Sequence, residues 1–324
     1  MQHQILSPKI RMYRYGPGHL KDFLLTGRFK KPFRLCMEVT NRCNLKCKTC
    51  YWRRNIPDKE LSDLEWEKRI EIMLSKSPSI LQAIWMGGEP MLRFGLIKKY
   101  SKKFCFNHVF TNGTLPIYPV KNLKYTVSID GTNDFFSKQR GNVYELIREN
   151  LRKSKVSHFS ILFLISQLNK DNIVEFIEEW SRVRKVTRII FSFYVPSRNE
   201  HDFNLWIPLH ERDRIIDRLK KLSYSHPKIR EGSKHLDPLY SENLASTVKE
   251  CHVNKHNYDI HLDSEGMEKF LIRPNGRKNN FTCAFYNPDC NRCGSDPMAR
   301  SKYMSQNRFS HLKKVFARHI FKKS

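Results

Sequence analysis

Residues 33–50, "FRLCMEVTNRCNLKCKTC", join a strand-like run to a cysteine-bearing loop, and that junction decides the fold. The first seven, "FRLCMEV" (33–39), read as a short apolar β-strand. The strand delivers the chain into a loop with cysteines at 43, 47 and 50. A structural zinc or a closed iron–sulfur cluster usually takes four protein ligands. Three thiols therefore imply either a ligand from elsewhere in the chain or a place kept for something that reacts.

Outward from this loop the chain alternates strand-like and helix-like stretches. "SDLEWEKRIEIMLSKS" (62–77) opens on a Ser/Asp cap and sets Leu64, Ile70, Met73 and Leu74 at helical spacing. "ILQAIWM" (80–86) reads as a strand ending at "GGEP", "FCFNHVF" (104–110) as one ending at "TNG", and "LKYTVSI" (123–129) as one ending at "DG". "FSILFLI" (159–165) and "TRIIFSFYV" (187–195) are two more, with the helical "KDNIVEFIEEWSRVRK" (170–185) between them. Six strand candidates separated by helix-sized segments predict parallel strands joined by crossovers. In parallel sheets chemistry collects on the loops after the strands' C-terminal ends. The cysteine loop, "GGEP", "TNG" and "DG" all fall there.

The chain has 324 residues, 40% hydrophobic and 12% aromatic, enough for a large α/β domain with a smaller appendage and unlike a disordered composition. No stretch approaches the roughly 20 apolar residues of a membrane span, and residues 1–16 lack a signal-peptide h-region, so a cytoplasmic location is expected. Nine cysteines in such a chain argue for metal or redox chemistry rather than a disulfide framework. Cys36 and Cys105, alone in apolar runs, read as small buried hydrophobes. A formal charge of +27 points to an anionic partner such as RNA, an acidic peptide or a membrane surface, or to a well-solvated basic surface.

Beyond residue 195 the pattern changes. "HERDRIIDRLKKLSYSH" (210–226) is an amphipathic helix, and Cys251, Cys283, Cys290 and Cys293 then supply a full set of four thiols around the strand and turn "IHLDSEG" (260–266). The residues leave iron–sulfur and zinc both open for this set, and allow His252, His256 or His261 to replace one cysteine. From Met298 the last 27 residues carry eight Lys/Arg and no acid, with Phe309, Leu312, Phe316 and Ile320 on one helical face. That face suits either packing on the barrel or a membrane surface. The chain thus divides into a basic N-terminal segment (1–32), a core (33–200), a helical continuation (201–250), a cysteine-rich extension (251–297) and a basic tail (298–324).

A C-x3-C-x2-C loop can hold three corners of a cubane [4Fe–4S] cluster and leave one iron open; a zinc loop completed from a distance uses the same spacing. The ordered series Cys43/Cys47/Cys50, "GGEP" (87–90), "TNG" (111–113), "SIDG" (128–131) and "QRG" (139–141) resembles the radical SAM enzymes over about residues 33–200. The resemblance implies a partial (β/α)6 barrel, a [4Fe–4S] cluster on Cys43, Cys47 and Cys50, and S-adenosylmethionine (SAM) at the open iron. It implies that Gly87, Gly88, Glu89 and Pro90 line the methionine amino group, and that Ser128, Asp130 and Arg140 lie near its carboxylate, the ribose or the substrate. Taken alone, "GGEP" reads as a turn before a helix, Asp130 as a turn cap and Arg140 as half of a surface ion pair. Thr49 stands where related sequences often have an aromatic residue, and Phe136 and Ser137 where many have His-Asp. The rear cysteines resemble the SPASM or twitch extensions that carry an auxiliary iron–sulfur cluster, with structural zinc as the rival. Together these imply an enzyme that cleaves SAM reductively, draws on an electron donor such as a flavodoxin or ferredoxin, and modifies a peptide or protein. Lipid or isoprenoid and RNA substrates are the next expectations, and a non-catalytic zinc protein that holds nucleic acid is the reading from another class.

Overall fold

Short β-branched and aromatic runs pair in parallel because the segments between them, helical in every crossover except the loop from β3 to β4, return the chain to the start of the sheet. The structure, a computed structural model, describes residues 5–26, 29–51, 59–197, 204–249, 259–268, 270–272, 278–280 and 288–307. Strands β1 (Arg34–Thr40), β2 (Gln82–Gly87), β3 (Phe106–Thr111), β4 (Leu123–Ser128), β5 (Phe159–Ile165), β6 (Val186–Phe193) and β7 (Asp259–Leu262) form one sheet in the order β6-β5-β4-β3-β2-β1-β7. All its pairings are parallel, and β6 and β7 are its two edges among the described residues, so the sheet is an unclosed barrel. Sequence reading assigns residues 260–266 to the extension; instead the strand there extends this sheet, with Leu35 opposite Ile260 and Met37 opposite Leu262. Ile260 and Leu262 join the same apolar layer as Leu35 and Met37, which gives the strand its reason to dock on β1.

Period-two alternation sorts the strand side chains. Leu35, Met37, Val39, Trp85, Val109, Val127, Ile161, Phe163, Ile189 and Phe191 belong to one apolar core with the helices. Cys36, His108, Thr126, Ser160 and Arg188 alternate with them on the opposite face of the strands. Among the helices that contribute to the core are α2 (Asp63–Lys76), α3 (Phe94–Ser101), α4 (Asn133–Arg140), α5 (Tyr144–Lys153) and α6 (Ile173–Arg182). The expected capping box opens α2: Ser62 Oγ accepts from Glu65 N while Ser62 N donates to Glu65 Oε2 at 2.8 Å. The buried face of α2 differs from the expected one at its first position. Leu64 is 60% exposed, and Trp66 is fully buried with its Nε1 donating to Val39 O at 3.1 Å.

The basic N-terminal segment contains helix α1 (Pro8–Thr26), which docks where β2 and β3 begin. Arg11 is fully buried and donates to Ile80 O at 2.8 Å and to Lys103 O, while His19 Nε2 pairs with Ser79 O at 2.8 Å. Beyond β6, α7 (Leu209–Ser225), α8 (Pro227–Lys234) and α9 (Ser241–Lys249) precede β7. A two-stranded antiparallel ribbon follows, β8 (Phe270–Ile272) and β9 (Lys278–Asn280), and then α10 (Asp296–Gln306). The apolar face expected over residues 309–320 lies outside the described residues. Among the described residues no helix is long and apolar enough to cross a membrane.

Candidate active site

The site is built on the loops after β1 to β4, where parallel strands leave backbone groups to be satisfied by neighbours. After β1 the chain is held by Glu60. Its Oε2 accepts from Thr40 Oγ1 and from Asn41 N, each at 2.8 Å, and its Oε1 pairs with Arg42 Nε and Arg93 Nη2, each at 3.0 Å. Burial raises the Glu60 pKa, but these hydrogen bonds and the two guanidinium groups outweigh it and hold the carboxyl below its usual range. No sequence motif marks Glu60; its partners come together only when the sheet forms.

"GGEP" crosses directly over the start of the cysteine loop. Gly88 N donates to Thr40 O and Glu89 N to Arg42 O, both at 2.8 Å. Gly87 has φ +122°, and a Cβ there would lie 2.5 Å from Thr40 O; one on Gly88 would lie 2.2 Å from Arg42 O. Two adjacent glycines are therefore required by backbone contact. Glu89 is 1% exposed, and its carboxylate is already engaged. Oε1 accepts from Met91 N at 3.0 Å and Thr111 Oγ1 at 2.7 Å, and Oε2 from Asn112 N at 2.7 Å. Burial pushes its pKa up despite these donors. Glu89 thus ties the loop after β2 to the loop after β3, and Pro90 begins a short 3-10 turn that Glu89 caps.

From the loop after β3, Asn112 Nδ2 donates to Asn44 Oδ1 at 2.9 Å and lies 3.9 Å from Cys43 Sγ. Ser128 ends β4, half-buried. Asp130 is fully buried; its Oδ1 accepts from Leu164 N at 2.8 Å and its Oδ2 from Arg140 Nε at 2.6 Å. Arg140 Nη1 in turn reaches Cys47 Sγ at 3.7 Å, so the pair is internal, not a surface ion pair. Burial raises the Cys47 thiol pKa, and the Arg140 charge pulls it back. Gln139 O accepts from Lys48 N at 2.9 Å, and Gln139 Nε2 donates to Asp130 O at 3.1 Å. Phe136 is fully buried against Tyr144, so the position that departs from the family's His-Asp serves the core.

Cys43 is exposed and Cys47 and Cys50 are partly buried. Among the described residues the trio whose ligand atoms close to within 4.8 Å of one another is a different one. Three thiols carried on one loop are the ligand type of an iron–sulfur cluster. N–H groups of Asn112 and Arg140 lie beside two of the sulfurs, as hydrogen-bond donors do around cluster thiolates. The donor set and the glycine crossing fit a [4Fe–4S] cluster with a small ligand beside it.

Of the rear cysteines, Cys251 and Cys283 lie outside the described residues. Cys290 and Cys293 bracket a 3-10 turn, with Cys293 N donating to Cys290 O at 3.1 Å. Arg212 holds that turn through Cys293 O at 2.7 Å, and Phe193 N donates to Gly294 O at 2.8 Å. The turn therefore sits at the C-terminal end of β6, the same end of the sheet as Cys43.

A family model described as the radical SAM superfamily matches residues 37–179. Fe-coproporphyrin III synthase of Methanosarcina barkeri is 32% identical over 241 residues, 64% of this chain and 57% of that enzyme. The chain thus spans little more than half of that relative. Among solved structures, native anSMEcpe with bound AdoMet and the Cp18Cys peptide has TM-score 0.55 at 17% identity, covering 84% of this chain and 80% of the other. SuiB of Streptococcus suis bound to the precursor peptide SuiA has TM-score 0.55 at 15% identity, covering 92% and 72%. At these identities the likeness is one of fold.

Proposed function

For an enzyme that belongs to the radical SAM superfamily, whose cofactors are a [4Fe–4S] cluster and SAM, we propose that Cys43, Cys47 and Cys50 ligate the cluster and that the substrate is a peptide or protein. The observation that carries this reading is the convergence of four strand-end loops on the cysteines, through Glu60, Glu89, Asn112 and the Asp130–Arg140 pair. When bound, the cluster and SAM supply a carbon-centred radical by reductive C–S cleavage.

The chain's own residues position and protect. The backbone of Gly87–Pro90, pressed against Thr40 and Arg42, forms the wall beside the cysteine loop that receives the methionine end. Glu89 acts mainly from behind, since three internal donors occupy its oxygens and one lone-pair position remains for an ammonium. Arg140, fixed by Asp130, places a cation beside Cys47 and opposite an incoming carboxylate. Ser128, at the end of β4, would lie near the carboxylate, the ribose or the substrate. No residue is assigned as a proton donor or acceptor.

The peptide class is supported by the peptide-bound states of SuiB and anSMEcpe, whose fold covers most of this chain, and by the basic charge. We place the enzyme in the cytoplasm with a flavodoxin or ferredoxin as reductant, and a second [4Fe–4S] cluster on Cys251, Cys283, Cys290 and Cys293. Iron, sulfide and zinc per chain after anaerobic reconstitution, with 5′-deoxyadenosine release, test this. About eight irons in the wild type, about four in a Cys43/Cys47/Cys50→Ala variant, and SAM cleavage by the wild type alone are expected. About four irons plus zinc would make the rear group structural; zinc alone in both proteins, with no cleavage, would overturn the cluster assignment. SAM cleavage stimulated by lipid or RNA and not by peptides would overturn the substrate class.

A further inference from the structure

The strands β1 and β7 bring three different metal-ligating side chains together. The parallel register sets Arg34 opposite Asp259 and Cys36 opposite His261. One ligand atom from each of Cys36, Asp259 and His261 lies within 4.8 Å of the other two. Cys36 is 4% exposed and His261 6%, and Asp259 is partly buried. Alternation along β1 turns Cys36 away from the apolar layer of Leu35 and Met37, so its sulfur faces this polar trio and not the core.

We propose that Cys36, Asp259 and His261 bind a zinc-like divalent cation. A thiolate, an imidazole and a carboxylate are the ligand types of zinc, whereas calcium and magnesium take oxygen. Zinc bonds of about 2.0–2.3 Å in a tetrahedral shell separate ligand atoms by about 3.3–3.8 Å. Contraction from the observed spread is within side-chain torsion, since the two strands already hold the residues in register. On binding, the Cys36 thiol gives up its proton, and thiolate and carboxylate offset the dication, leaving the charge of Arg34 beside Asp259. Arg34 Nε, donating to Asp259 Oδ1 at 2.6 Å, orients the carboxylate from behind, as outer partners of metal ligands do. Among the described residues no fourth histidine, cysteine or carboxylate joins the trio. The site also relocates His261, which sequence alone allowed as a substitute ligand in the rear cysteine group. It ties the edge strand β7 to the strand that carries the cysteine loop.

The test uses the full chain with its iron–sulfur clusters assembled, exposed to zinc and then to a competing chelator. Wild type is expected to retain one more zinc per chain than a Cys36→Ala/His261→Ala variant, with iron unchanged between them. Asp259→Asn, which keeps the side-chain volume, is expected to weaken zinc retention at least tenfold. Equal zinc in folded wild type and variants overturns the proposal. Should the double variant not fold, zinc-edge X-ray absorption of the wild type decides. A shell containing imidazole and oxygen with sulfur supports the site, while a shell of sulfur alone, or no retained zinc, overturns it.

Discussion

Gly88 shows how little freedom the site allows a single residue. A Cβ there meets the Arg42 carbonyl at 2.2 Å, and neither backbone can retreat without breaking the Glu89 N–Arg42 O bond. Gly88→Ala is therefore expected to weaken SAM binding about tenfold or more, the equivalent of about 1.4 kcal/mol of displacement, while circular dichroism stays that of a folded chain. Titration calorimetry on the reconstituted protein checks it, and unchanged affinity would show that the crossing does not shape the ligand wall. The positions of the motif residues at strand ends were legible in advance, for the three cysteines, the paired glycines, Asp130 and Arg140, while what they bind is a proposal. Glu60 and Gln139 were not, because each acts through partners far away in the chain. What Glu89 does was legible only in part. Its place in "GGEP" suggested a ligand contact, but two of its three internal donors, Thr111 Oγ1 and Asn112 N, reach it only because β3 lies beside β2.

At the level of elements, α2 illustrates the limits of periodicity. Its cap and length follow from local sequence, yet the inward face begins at Trp66 and not at Leu64, because the indole finds both an apolar bed and a hydrogen-bond acceptor in Val39 O. Trp66→Ala is expected to cost about 3–5 kcal/mol in denaturant unfolding, and Leu64→Ala about 0.5 kcal/mol or less. Similar losses for both would place the helix in a different rotation. The six core strands were readable because each is rich in apolar, β-branched and aromatic residues over a short run, and four of them end at a marked loop. β7 was misassigned because its residues alternate and sit among cysteines, and only the pairing of Leu35 with Ile260 and Met37 with Leu262 reveals its sheet.

Across the whole molecule, the polar face of the sheet ties stability to pH. His108 stacks on Phe110 and pairs with Thr126 Oγ1 at 2.7 Å. Burial, and then the charges of Arg188, Arg300, Lys124 and Arg34, lower its pKa to about 3. An unfolded histidine takes up its proton near pH 6.5, so the unfolded chain holds the extra proton between there and about 3. The contribution of His108 is complete above that window and declines as pH falls through it, by at most about 1.4 kcal/mol per pH unit. His108→Gln is expected to flatten that decline in urea melts between pH 6.5 and pH 4; an unchanged slope would mean that His108 protonates in the folded state. The lock formed by Asp130, Arg140, Leu164 and Asn169 has a further consequence for biosynthesis. Cys43, Cys47 and Cys50 leave the ribosome more than a hundred residues before Asn169 does. Iron delivered during that interval meets three thiols on a tether, whereas iron delivered afterwards meets a loop already braced by these bonds.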